Sequence, residues 1–175
     1  MNKILSITAF LMLLVITSCK KEGIYEEGLV YQYDISLYSQ QDVNEFAKQK
    51  YNGIIGNLVI GGTDISYIDS LYTLDFVKGT VHIYNTSIKN TDGLANLTTI
   101  AENGFSSKFT NIFISENAKL LSVNFPKLLT LKGSFDVSDN EKLMSIYIPK
   151  ISFTETLIQI ENNPELVDLN FSALK

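Results

Sequence analysis

Arginine and tryptophan are absent from the 175 residues, and histidine and cysteine occur once each. A lysine-only set of 14 cations against 19 acids gives a net charge of −5. A duplex nucleic-acid binder presents a basic face with guanidinium forks, so this composition argues against nucleic acid as a partner. One cysteine excludes an internal disulfide framework and any multi-cysteine zinc site. One histidine excludes a multi-histidine metal site. Nothing in the sequence calls for a cofactor. What the chain has is apolar bulk: 45% hydrophobic and 11% aromatic residues, with only 19% charged. That composition belongs to a folded chain with a core, and the length suits one domain.

The N-terminus reads as an address. Met1-Asn2-Lys3 is a short basic start, and Ile4 to Ile16 is a largely apolar run of 13 residues. A membrane span needs roughly 20. The run fits the core of a secretory signal peptide, with residues 1–18 as the removed segment. Ile16-Thr17-Ser18-Cys19 resembles the lipobox of bacterial lipoproteins. The resemblance implies that Cys19 becomes the first mature residue and carries several acyl chains, enough for stable anchoring. The implied location is the cell envelope, at the outer membrane or cell surface, with the membrane as a partner through the lipid on Cys19. Residues 19–32 are charged and glycine-containing and read as a tether. The charges straight after Cys19 resemble surface-export signals of lipoproteins in the Bacteroidetes.

Beyond the tether an internal period dominates. Apolar pairs two residues apart recur at Leu58/Ile60, Val81/Ile83, Ile112/Ile114, Phe135/Val137 and Ile158/Ile160. Each pair is followed three residues later by a turn residue: Thr63, Thr86, Asn117, Asn140 and Asn163, at steps of 23, 31, 23 and 23. Two more apolar columns keep the series: Leu71, Leu94, Phe125, Ile148, Phe171, and Leu74, Leu97, Leu128, Ile151, Leu174. The long step is one period plus an insertion near Ala101 to Lys108. A single unit of this length cannot bury its own apolar face, whereas stacked units bury a continuous column. Pro126 and Pro149 hold one equivalent position and mark a strand end or corner, because proline lacks a ladder donor.

These observations predict an all-β solenoid: a right-handed, three-sided β-helix of about five 23-residue coils over 57–175, with an N-terminal cap over 33–56. Asparagine is expected at the first corner because it tolerates left-handed backbone and its amide can satisfy turn groups. The alternative is a leucine-rich-repeat horseshoe, whose signature Ile112-x-Ile114-x-x-Asn117 matches. A horseshoe wants a helical segment where this chain has Val123-Asn-Phe-Pro and Ile146-Tyr-Ile-Pro, which are β-branched, aromatic and proline-broken. Ser39-Gln-Gln-Asp42 has the form of a capping box. Val43, Phe46, Ala47 and Tyr51 follow at helical spacing, so a short capping helix is expected over about 40–51, stopped by Asn52-Gly53. Ile35 and Leu37 precede Leu58 and Ile60 by one period and predict an edge strand. Leu166, Leu169, Phe171 and Leu174 form a last coil with no visible cap.

Ser39 to Phe46, Gly53 to Gly62, Asp64 to Leu71, Gly93 to Ile100 and Ile160 to Leu166 resemble the repeats of receptor L-domain-like proteins, found in secreted and lipid-anchored proteins of the Bacteroidetes. The resemblance covers about residues 33 to 175. It implies a non-catalytic binding or adhesion surface and assigns no individual ligand residue.

Chemistry is sparse. Asp136, Asp139, Glu116 and Glu161 flank turns near one outward face, where a carboxylate pair for glycoside hydrolysis is conceivable. Acids beside turns are ordinary solubilising residues, however, and a polysaccharide-acting enzyme is the weakest reading. Asp136, Asp139 and Glu141 are the only metal candidates worth naming, and no metal site is assigned. The outward positions of the first strand column put His82, Tyr84 and Phe113 on adjacent coils as an exposed aromatic cluster, with Tyr147 outward in a second column. These four are the candidate ligand-binding residues, since exposed aromatics supply contact area at low entropy cost. The expected ligand is a protein or a glycan. A scaffold that self-associates through the uncapped C-terminal coil is the second expectation.

Overall fold

The computed structural model describes residues 28–100, 112–151 and 157–174. The expected signal segment, most of the tether with Cys19, and the Ala101–Lys108 insertion lie outside them. The described residues open with β1 (Val30–Tyr31) and β2 (Ile35–Leu37), then α1 (Gln40–Lys48). The first coil holds β3 (Gly53–Ile54) and β4 (Leu58–Gly61); the second holds β5 (Phe76–Val77) and β6 (Val81–Tyr84). The third holds β7 (Thr99–Ile100), β8 (Ile112–Ser115) and β9 (Ser122–Asn124). The fourth holds β10 (Thr130–Leu131), β11 (Phe135–Ser138) and β12 (Ser145–Tyr147), and the last holds β13 (Ile158–Glu161) and β14 (Asp168–Asn170).

The strands form three sheets in which every pairing is parallel: β1-β3-β5-β7-β10, β13-β11-β8-β6-β4-β2 and β14-β12-β9. Parallel strands from successive units, each one period apart, are the signature of a parallel β-solenoid. Ile60, Ile83, Ile114 and Val137 are paired in one continuous register and are fully buried. The columns at Leu71 and Leu74 are buried through the fourth coil. A further inward column, Ile54, Val77, Ile100 and Leu131, comes from two-residue strands that the sequence pattern did not single out. Two-residue strands are too short for a period of 2 to repeat.

Three local expectations need correction. The helix ends at Lys48 rather than near residue 51, and Asn52-Gly53 is not its stop. Lys50 takes the left-handed turn (φ 54°) that reverses the chain, and Gly53 instead begins β3. The left-handed corner residue is not the asparagine but the residue before it: Asn85, Glu116, Asp139 and Asn162 have φ of 50–57°. That shift turns the asparagine side chains inward. The first two coils also have 3₁₀ turns, Asp69–Leu71 and Asp92–Leu94, where the later coils have β9, β12 and β14. Asp-Ser-Leu and Asp-Gly-Leu are turn-forming, whereas Ser-Val-Asn and Ser-Ile-Tyr are strand-forming around a β-branched centre. Pro126 and Pro149 do fall just past the ends of β9 and β12.

The inward asparagines build a ladder through the last three coils. Asn117 Nδ2 donates to the carbonyls of Ile83 and Ser115 and to Asn140 Oδ1, at 2.8–3.1 Å. Asn140 Nδ2 repeats this with Ile114, Ser138 and Asn163 Oδ1. Each ladder oxygen also accepts the backbone N–H of the preceding rung. Thr86 joins at the top, donating its hydroxyl to Asn117 Oδ1 at 2.7 Å. Thr63 is exposed and stands outside the ladder.

Candidate functional site

The six-stranded sheet alternates inward and outward side chains, so its outer face is set by period 2. From β4 to β13 the outward residues are Val59 and Gly61, His82 and Tyr84, Phe113 and Ser115, Asp136 and Ser138, Gln159 and Glu161. In-register parallel pairing puts His82 directly between Val59 and Phe113, and Asp136 directly between Phe113 and Gln159.

The rings meet as the sequence suggested. His82 and Tyr84 stack with centroids 4.5 Å apart and planes at 25°. Phe113 meets His82 edge-on at 4.9 Å and 79°. The cluster is half-buried rather than fully exposed, because the rings cover one another. Gly61 makes the arrangement possible: a Cβ there would come within 2.7 Å of the Tyr84 ring. No ring pattern in the sequence points to that glycine; only the in-register pairing of Gly61 with Tyr84 does. Tyr147 is exposed on β12 in the three-stranded sheet, so the fold does not bring it to the other three.

Charge on this face is acidic. Asp136 Oδ1 is buried and has no hydrogen-bond partner. Burial pushes the Asp136 carboxyl above its ordinary pKa; the Ser138 hydrogen bond works against this, and nearby Glu161 and Asp139 add to it. Burial holds His82 below its ordinary value, with Glu116 pulling the other way. At neutral pH His82 is therefore an uncharged aromatic with one donor and one acceptor. Among the described residues, no group of three His, Cys, Asp or Glu side chains could hold a metal ion. Among the described residues, hollows of about 170 and 230 Å³ lie away from this face, at Tyr67 and Lys89 and between α1 and Thr73. The outward residues form in-register rows across neighbouring strands, a layout suited to an extended partner. No helix among the described residues is long and apolar enough to cross a membrane.

Comparison with family sequence models gives a match to the receptor L domain over residues 52–148. The matched stretch runs from the approach to β3 through β12 and includes every ring of the cluster. No curated protein matches the chain.

Proposed function

The chain belongs to the receptor L domain family, a family of non-enzymatic ligand-binding domains, and from that premise we propose that the outer face of its six-stranded sheet docks a macromolecular ligand at the cell surface. The carrying observation is the His82–Tyr84–Phe113 cluster, three rings held together across two strands of a rigid sheet. Rings pre-placed in this way contribute contact area without an ordering cost on binding. We read the three sheets as the sides of a right-handed β-helix, and the protein as a lipid-anchored adhesin of the Bacteroidetes type, tethered through Cys19. The test is retention of the purified chain on an array of host proteins and glycans. Retention lost on Phe113→Ser, with folding intact, supports the reading; retention unchanged by Phe113→Ser and by His82→Ser refutes it. Incorporation of an alkyne-tagged fatty acid, abolished in Cys19→Ala, tests the anchor.

A second reading concerns the last coil. Leu169 continues the inward column of Val123 and Ile146, yet it is 53% exposed where those are 0% and 1%. Ile158, Ile160, Leu166 and Phe171 are only partly buried. Burying this end against another copy makes a scaffold. Sedimentation shows a concentration-dependent dimer if so, and Leu169→Asp disperses it; a monomer at all concentrations excludes it.

A further inference from the structure

Resting on the reading of that face as a binding surface, we propose that its ligand is a protein segment presenting an arginine or lysine side chain, whose cationic head is held between the Asp136 carboxylate and the rings of Phe113 and His82. Phe113 and Asp136 are directly opposed on β8 and β11. Directly opposed residues on neighbouring strands stand about 5 Å apart, so a cation within about 6 Å of the Phe113 ring is also within reach of the carboxylate. His82 extends the aromatic wall, edge-on to Phe113 and stacked on Tyr84.

Asp136 carries the second half of the argument. One of its oxygens is buried without a donor. An ionised carboxylate only accepts, and burying one unpaired is costly. A guanidinium or ammonium group docked beside this carboxylate supplies the opposite charge, and hydrogen bonds made to an ionised carboxylate are the strongest of the ordinary ones. The surroundings select the same sign. Among the ten outward positions of β4, β6, β8, β11 and β13 and the corner residues Gly62, Asn85, Glu116, Asp139 and Asn162, every carboxylate or lysine is a carboxylate. A neutral sugar could stack on the rings, but it would leave these charges uncompensated at the interface.

The probes are N-acetyl-arginine amide and its uncharged isostere N-acetyl-citrulline amide, titrated into the full chain in detergent while the ring signals of His82, Tyr84 and Phe113 are followed by NMR. The expected result is movement of those signals by the arginine probe, with an affinity about tenfold above that of citrulline and a preference that shrinks with salt. Asp136→Asn, nearly isosteric, abolishes the preference. Equal response to both probes, no response at these rings, or an arginine preference that survives Asp136→Asn overturns the proposal. The array separates this failure from failure of the broader reading. A glycan or neutral peptide retained through Phe113, without arginine binding, leaves the face as a binding surface and removes the cation. Retention indifferent to Phe113 removes both.

Discussion

Among the described residues the two ends of the solenoid are covered unequally. At the N-terminal end, α1 lies across the first coil and buries Val43 and Phe46. Phe46, Tyr31 and Tyr51 pack with centroids 5.1–5.6 Å apart. Gln40 latches the helix to the coil beneath, accepting the N–H groups of Ser66 and Tyr67 and donating its own N–H to Asp64. Ser39 caps the helix by accepting from Asp42 N–H. At the C-terminal end no such element stands among the described residues, and the inward columns meet solvent at Leu169 and Leu174. The interior rungs differ as well. The later coils tie their corners with buried asparagine amides, while the first corner has an exposed Thr63 and a Gly62 at φ 151°. One period therefore does not mean one set of stabilising contacts.

Equivalent positions in the two halves make the contrast measurable. Phe125 is fully buried, and Phe125→Ala should cost about 3–5 kcal/mol in urea unfolding. Phe171, one column-mate removed and touching Phe135 at 5.8 Å, should cost clearly less. Equal costs would mean that the last coil is covered in solution. Asn140→Ala strands the carbonyls of Ile114 and Ser138 and the N–H of Asn117, an expected loss of about 2–4 kcal/mol. Thr86→Val, at the top of the same ladder, should cost about 1 kcal/mol, because the hydroxyl's bond to Asn117 and its long 3.5 Å bond from Ile88 N–H are lost. If Asn140 and Thr86 cost the same, the ladder is not what distinguishes the halves.

Ser39→Ala removes the helix cap for about 1 kcal/mol. Hydrogen exchange should localise the loss to α1 and leave the ladder coils protected, provided the ends open independently.

The smallest effects are pH-dependent. Asp136 binds its proton more readily folded than unfolded, so its contribution is present at low pH and lost as pH rises. Asp136→Asn should therefore raise Tm at pH 7, and the gain should fade below the ordinary carboxyl value of about 3.9. His82 has the opposite sign. Its neutral form is favoured in the fold, so stability is full above about 6.5 and declines as pH falls through that value. His82→Gln should flatten the Tm profile between about pH 7 and pH 5.

The sequence by itself determined the repeat, the inward columns of the six-stranded sheet and those at Leu71 and Leu74, because a stack of coils forces one apolar residue to lie on the next, and that demand is written as a spacing. It determined the helix cap in the same way, through Ser39 and the apolar face after it. It also determined that His82, Tyr84 and Phe113 meet, since outward positions on neighbouring coils must align once the period is known. The tertiary structure alone decided the rest. It moved the left-handed corner one residue ahead of Asn117, Asn140 and Asn163 and drew their amides inside, where carbonyls of the same coil and of the preceding coil wait 2.8–3.1 Å away. It left one oxygen of Asp136 buried without a donor. Such facts depend on which groups from distant coils share a small volume, and a spacing along the chain fixes the order of those groups but not the hydrogen bonds they find.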